Sequence, residues 1–130
     1  MKIDLNSPVI TLEVKFVGEK GSCIMEAALD TGSTYTIIPW KIAKKLGYHP
    51  ELAEERANII TASGTELTPL ITIKAIEVLG SIKENVKVAC HDLPPQATIS
   101  VLLGFDFLKG FSTRLDFKDG KEGELEIIDP

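Results

Sequence analysis

The segment with the clearest chemical potential is Ala28-Leu29-Asp30-Thr31-Gly32-Ser33-Thr34. An apolar run delivers one acid into a tight turn. Gly32 lets the backbone bend and approach its neighbours closely. The hydroxyls of Thr31 and Ser33 are placed to hold the turn and the carboxylate. An acid fixed in this way suits acid–base catalysis, which needs a rigidly placed proton donor or acceptor. The same residue types also make an ordinary turn, in which a hydroxyl-flanked Asp only caps backbone amides. Two later segments bear on the choice. Ile59-Ile60-Thr61-Ala62-Ser63-Gly64-Thr65 is a hairpin with small residues at its tip, which either closes over a groove or stands in solvent. Val101-Leu102-Leu103-Gly104-Phe105-Asp106-Phe107-Leu108 brings an apolar strand to Gly104, where the chain can pass close to the Asp30 turn, and then starts a short helix. Asp106 reads as a hydrogen-bonding residue at the start of that helix rather than as an acid catalyst.

The elements that must position these residues are short and frequently punctuated, a rhythm of β-sheet. Ile10, Leu12, Val14 and Phe16 alternate with Thr11, Glu13 and Lys15, which predicts a two-faced strand. Gly18-Glu19-Lys20-Gly21 turns the chain, and Cys23, Met25, Ala27 and Leu29 alternate in a second strand that runs directly into Asp30. Thr36-Ile37-Ile38 predicts a short buried strand. Pro39 is suited to the first position of a helix, Ile42, Ala43 and Leu46 recur at helical spacing, and Gly47 is placed to end it. A hairpin is expected over Arg56 to Thr68, another over Leu70 to Val78 and Ile82 to Ala89 around Gly80-Ser81, and a last one over Arg114 to Phe117 and Glu124 to Ile128. Pro94-Pro95-Gln96 is a loop, Ser100 to Leu103 a strand, and Phe105 to Lys109 one or two helical turns. No linker or tandem copy is visible. The expectation is one mainly β domain over residues 1–130 with two short helices.

The order apolar-Asp30-Thr31-Gly32-Ser33, a glycine-bearing hairpin, then Leu102-Leu103-Gly104-Phe105-Asp106-Phe107-Leu108 resembles the retropepsin-like aspartic peptidases, including their single-domain bacterial and archaeal members. The likeness covers roughly residues 9 to 128. It implies a single-domain acid-protease β-barrel with one or two short helices. It also implies that Asp30 is the catalytic aspartate, with Thr31 and Gly32 in its turn, and that Ser33 takes a position where the family has serine or alanine. Ile60, Thr61, Ala62, Ser63, Gly64 and Thr65 take the place of the flap, and Gly104 that of the glycine before the family's short helix. The chain departs from the viral pattern in having Asp106 where viral members often carry Asn. It also continues through Arg114 to Pro130, so the contact between copies is expected to differ.

One carboxyl cannot be base and acid at the same instant, whereas two facing carboxyls that share a proton can. The chain holds one Asp-Thr-Gly. The resemblance therefore implies a two-fold homodimer with Asp30 and its mate at the axis, and Thr31 bonding across it. A peptide would lie extended between flap and turn as an added strand. Ile38, Ile60 and Leu102 are placed either to line its side-chain pockets or to belong to the core. The function so implied is aspartic-type endopeptidase activity without a cofactor. The alternative is a catalytically idle domain of the same fold that dimerises or binds peptides, since fold does not fix activity.

Other classes find little support. The 130 residues are 44% hydrophobic with a net charge of −5, and no basic run exists to track a phosphate backbone, so no nucleic-acid partner is expected. No apolar stretch approaches a membrane span and the N-terminus lacks the apolar core of a signal peptide, which predicts a cytoplasmic protein with no membrane partner. Cys23 and Cys90 do not make a disulfide framework and read as small core side chains. His49 and His91 sit in no zinc-ligand spacing. Cys90 and His91, adjacent in a strand, point to opposite faces, so a Cys–His nucleophile pair is not expected. Asp116, Asp119 and Glu122 surround the last turn, where a solvated acidic hairpin is a simpler account than a cation site.

Overall fold

The computed structural model describes residues 1–61 and 64–129. Ala62 and Ser63, both expected at the hairpin tip, lie outside the described residues. The chain opens with a strand the sequence does not announce, β1 (Lys2–Asp4), whose one buried side chain is Ile3. In β2 (Thr11–Gly18), Leu12, Val14 and Phe16 are buried while Glu13 and Lys15 face outward. The chain returns through Glu19-Lys20 as β3 (Gly21–Leu29), with Gly18 opposite Gly21 and Thr11 opposite Ala28. After the Asp30 turn come β4 (Ile37–Ile38) and α1 (Trp40–Lys45). Pro39, expected as the first helical residue, is instead the N-cap one position before it, and its carbonyl accepts from the amides of Ile42 and Ala43. Gly47 ends the helix with φ +95°, a left-handed value that glycine adopts without strain.

A 3-10 turn at Pro50–Leu52 leads to β5 (Glu55–Thr61) and β6 (Gly64–Val78). The sequence predicts two separate strands on the β6 side. The structure instead has one 15-residue strand running through Pro69. The proline is tolerated because it sits where β6 changes partners. It lies opposite Arg56 of β5, and pairing with the next strand begins only at Leu70. That next strand, β7 (Ser81–Cys90), is reached through a two-residue turn in which Leu79 and Gly80 have φ +50° and +84°, as tight hairpins require. The remaining elements are β8 (Val101–Leu103), α2 (Phe105–Leu108), β9 (Ser112–Asp116) and β10 (Glu122–Ile128). The fold is mainly β, as expected.

The larger sheet runs β2-β3-β8-β4-β7-β6-β5, and β2 also pairs with β6, so the first six of these close into a barrel while β5 hangs from β6 as a hairpin arm. β3 and β8 are parallel, with Leu29 opposite Leu103, and β4 is parallel to β7. The smaller sheet, β1-β10-β9, joins the two ends of the chain. Its Ile3, Leu125 and Ile127 enter the same core as Phe16, Ile38, Ile73, Ile76, Leu103 and Phe107. Each such side chain contributes about 1.5–3 kcal/mol by leaving water. Ser81 at the β7 turn donates to the Ile127 carbonyl at 2.9 Å, which pins the small sheet to the barrel. Among the described residues no helix is long and apolar enough to cross a membrane.

Candidate active site

β3 ends at Leu29, and its pairing with β8 delivers Asp30 to a fixed place, because the Asp30 amide donates to the Leu103 carbonyl at 2.9 Å. The turn is closed locally. Ser33 N donates to Asp30 O at 3.1 Å, and Gly32 N donates to Asp30 Oδ1 at 3.1 Å, leaving Oδ2 outside that turn bond. Ser33 Oγ donates to the Tyr35 carbonyl at 2.7 Å, so the hydroxyl holds the turn as its residue type suggests. Thr31 and Gly32 are exposed.

The segment after the turn is strapped to the Gly104 segment residue by residue. Phe105 N donates to Ser33 O at 2.7 Å and Asp106 N to Thr34 O at 3.1 Å. Buried Thr36 is held from both sides. Its Oγ1 donates to Asp106 Oδ1 at 2.6 Å and accepts from Gly104 N at 3.0 Å, while its amide donates to Asp106 Oδ2 at 2.8 Å. The fit depends on Gly104 having no side chain, since a Cβ there would stand 2.6 Å from the Tyr35 carbonyl oxygen and 2.8 Å from that of Ser33. The Asp106 carboxylate also accepts from Phe107 N at 2.7 Å. Asp106 thus has the hydrogen-bonding role expected of it, but its principal partner lies 70 residues away. Burial pushes its carboxyl above the ordinary range, against the pull of the Thr36 and Phe107 hydrogen bonds and the Lys83 ammonium. Lys83 Nζ donates to the carbonyls of Asp106 and Lys109, at 2.7 and 2.9 Å, and so caps the end of α2.

A cleft of about 560 Å³ opens beside the turn. Asp30, Gly32, Ser33, Thr34 and Tyr35 form one wall, Ile37 and Leu102 the floor, and Ala57 to Ile60 of β5 the roof. Of the residues expected to act together, the structure brings Asp30, Gly32, Ser33 and Ile60 to this cleft. Ile60 is 87% exposed there. Thr61 and Gly64 face each other as the last described pair of the hairpin. Leu102 lines the cleft, whereas Ile38 takes the other of its two expected places and is wholly buried in the main core. Successive strand residues point to opposite faces, so its neighbour Ile37 is the one that reaches the cleft. Tyr35, Ile37, Ala57 and Ile59 join Leu70 and Ala89 in a second apolar cluster that connects roof and floor. Tyr35 and Asn58 also line the cleft, and their residue types do not mark them in the sequence. Their available signal was position, next to the Ser33-Thr34 run and beside Ile59.

The remaining candidates are placed elsewhere. Cys90 is buried, with its thiol pushed up to about 12 mainly by burial, and Cys23 is half-buried, its thiol also raised by burial. Asp119 accepts from the amides of Lys121 and Glu122, and Asp116 from that of Lys118, so these acids hold the β9–β10 turn. Among the described residues no group of His, Cys, Asp or Glu is arranged to hold a metal ion.

A family model described as "gag-polyprotein putative aspartyl protease" matches residues 18–110. The fold is similar to the crystal structure of a retropepsin-like aspartic protease from Rickettsia conorii, with a TM-score of 0.66 and 21% identity, covering 98% of this chain and 92% of that one. A looser likeness joins it to the solution structure of simian foamy virus (mac) protease, with a TM-score of 0.46 and 20% identity over 72% of this chain and 86% of that one. No curated protein matches. The family match spans well over half of the chain, from the β2–β3 turn past α2, and the chain belongs to the gag-polyprotein aspartyl proteases, with the retropepsin-like fold.

Proposed function

We propose that the chain is an aspartic-type endopeptidase whose working unit is a homodimer, each copy supplying Asp30. One observation carries the reading: among the described residues that line the cleft, Asp30 is the one acid. Peptide hydrolysis by carboxyl groups needs a base to activate water and an acid to protonate the carbonyl oxygen and then the leaving amine. A second Asp30 across a two-fold axis meets that need. Like charges so close cannot both ionise, so the two groups share one proton and titrate as a pair. The ionised member takes a proton from water as its oxygen attacks the peptide carbon, and the protonated member donates to the carbonyl oxygen. Collapse of the tetrahedral intermediate passes a proton to the nitrogen and breaks the C–N bond.

The exposed Thr31 and Gly32 leave the turn accessible to a second copy. In this reading Thr31 bonds across the axis and Gly32 lets the two turns approach. The substrate lies extended between turn and roof, hydrogen-bonded through its backbone as an added strand. Ser33, Ile60, Thr61 and Gly64 contact it, and its apolar side chains meet Ile37 and Leu102. No cofactor is required. The proposal keeps the chain in the cytoplasm, where Cys23 and Cys90 remain as thiols.

The test is a peptide-library digest at several acidic pH values with wild type and Asp30→Asn, with and without a statine-type inhibitor. Wild type is expected to cleave and the variant to lose a factor of about a hundred to ten thousand. Equal cleavage by both proteins removes the enzymatic reading. Sedimentation over a concentration series tests the shared site, because activity must fall with the dimer on dilution. A strict monomer that still cleaves contradicts it.

A further inference from the structure

Besides the apolar packing of Ala57 and Ile59 on Ile37, the roof of the cleft has a polar contact to the barrel that takes no part in the chemistry. β6 leaves its partner β7 at Leu70, opposite Ala89. Beyond that point the two hairpin arms pair only with each other in the register given, from Glu55 opposite Leu70 to Thr61 opposite Gly64. A two-stranded ribbon is marginal by itself, so its position over the cleft depends on what its side chains touch on the body. Glu66 stands opposite Ile59, one of the roof residues. Its Oε2 lies 3.2 Å from Nδ1 of His91, the residue that follows β7.

His91 is well anchored. Its amide donates to the Ile38 carbonyl at 3.0 Å, which ties it to the strand that carries Ile37 into the cleft floor. The histidine side chain is 20% exposed and that of Glu66 49%. A proton on Nδ1 makes the contact a hydrogen bond, and a doubly protonated ring makes it an ion pair. At the ribbon's base the other arm is tied to β7 as well, by Lys87 Nζ at 2.6 Å from Glu55 Oε2. The Glu55 tie lies at the first residue of the ribbon, whereas Glu66 lies two residues beyond Gly64, toward its far end.

We propose that His91 and Glu66 form a strut that sets the closed position of the hairpin over the Asp30 cleft, which makes His91 a positioning residue for the substrate-covering ribbon. The inference rests on the reading of the cleft as a peptide groove. The strut is outside the cleft lining, so it acts on binding and not on bond cleavage. Without it the ribbon spends less time closed, and apparent affinity falls by the fraction lost. A half-exposed pair of this kind changes such a balance by about two- to fivefold.

The experiment compares wild type with His91→Ala, Glu66→Ala and the exchanged pair Glu66→His with His91→Glu. Amide hydrogen exchange is measured on the substrate-free protein. Each single variant is expected to speed exchange of the amides that are bonded across the β5–β6 ribbon about two- to fivefold while the β2 and β3 amides keep their rates. The exchanged pair is expected to return toward wild type, and the KM for a cleaved peptide to rise in the single variants at constant kcat. Unchanged ribbon exchange in both single variants overturns the strut. So does an increase spread evenly through the barrel, which marks a merely structural role. Exchange needs no catalysis, so a protein that cleaves nothing still decides the strut, while Asp30→Asn decides the peptidase.

Discussion

Thr36 Oγ1 donates to Asp106 Oδ1 at 2.6 Å, the one side-chain pair among the bonds that join the segment after the Asp30 turn to the start of α2. The hydroxyl works twice, since it also accepts from Gly104 N. The carboxylate works three times, for the Thr36 amide, the Thr36 hydroxyl and the Phe107 amide. Neither group can be removed without leaving another buried polar atom unpaired.

Thr36→Val keeps the shape of the side chain and removes the hydroxyl, which orphans the buried Gly104 N–H. Asp106→Ala orphans the Thr36 amide and hydroxyl together. Unpaired buried groups cost about 1–3 kcal/mol each, so Thr36→Val is expected to lose about 1–3 kcal/mol and Asp106→Ala about 2–6 kcal/mol in urea unfolding. The double variant should lose less than the sum, because the two groups share one interaction. Additive losses contradict the coupling.

The raised carboxyl of Asp106 gives stability a direction with pH. Burial holds its native value above the ordinary one, 3.8. In the window between those two values the native state binds the proton more tightly than the unfolded chain does. The contribution is therefore fully present below the ordinary value and is lost as pH rises through the raised one. Asp106→Asn carries no titrating proton. The stability of wild type minus that of this variant is expected to increase as pH falls from about 7 to about 4, with the other acids cancelling in the difference. Denaturant titrations at a series of pH values measure it, and a difference that shrinks in acid refutes the assignment.

The Asp30 turn was legible in the sequence because everything that closes it is local: Gly32, Ser33 and the apolar strand before it. The β2–β3 hairpin was legible for the same reason, since alternation fixes both faces. What escaped depends on partners far along the chain. A three-residue strand such as β1 has no period to read, and only its pairing with β10 makes it a strand. The continuity of β6 through Pro69 is set by which neighbour lies on which side. Ile37 and Ile38 are chemically identical, and the strand's orientation alone decides which one faces the cleft. Asp106 could be read as a helix-start residue, but not as the partner of Thr36.

Gly104 is the closest backbone approach in the site. Its φ of −106° suits any residue, so Gly104→Ala tests space alone. The added carbon would stand within 2.8 Å of the Tyr35 and Ser33 carbonyl oxygens, which are backbone and cannot rotate away. The variant is expected to lose about 1–3 kcal/mol through overpacking. The turn that carries Asp30 moves with the displaced strand, so activity should fall by more than the folded fraction does. Thermal unfolding and assay of the still-folded variant separate the two effects. A stable, fully active Gly104→Ala shows that the strap is looser than its contacts.

Ile37 and Ile38 allow a paired test of core against cleft. Ile38 is wholly buried among the main-core side chains, and Ile37 belongs to the smaller cluster under the hairpin. Ile38→Ala leaves a cavity and is expected to cost about 2–5 kcal/mol, with the peptide preference of the proposed peptidase unchanged. Ile37→Ala also loses stability, but it enlarges the cleft floor next to Leu102. The enlarged floor should move preference toward bulkier apolar side chains, and a change of a methylene or more in such a pocket is worth about tenfold or more in relative kcat/KM. Competing peptides that differ in one apolar residue measure the ratio, and urea titrations measure the stability. If both variants keep the wild-type preference, substrate does not reach the floor. If Ile38→Ala changes it as much as Ile37→Ala, the division between the two faces of β4 has no functional meaning.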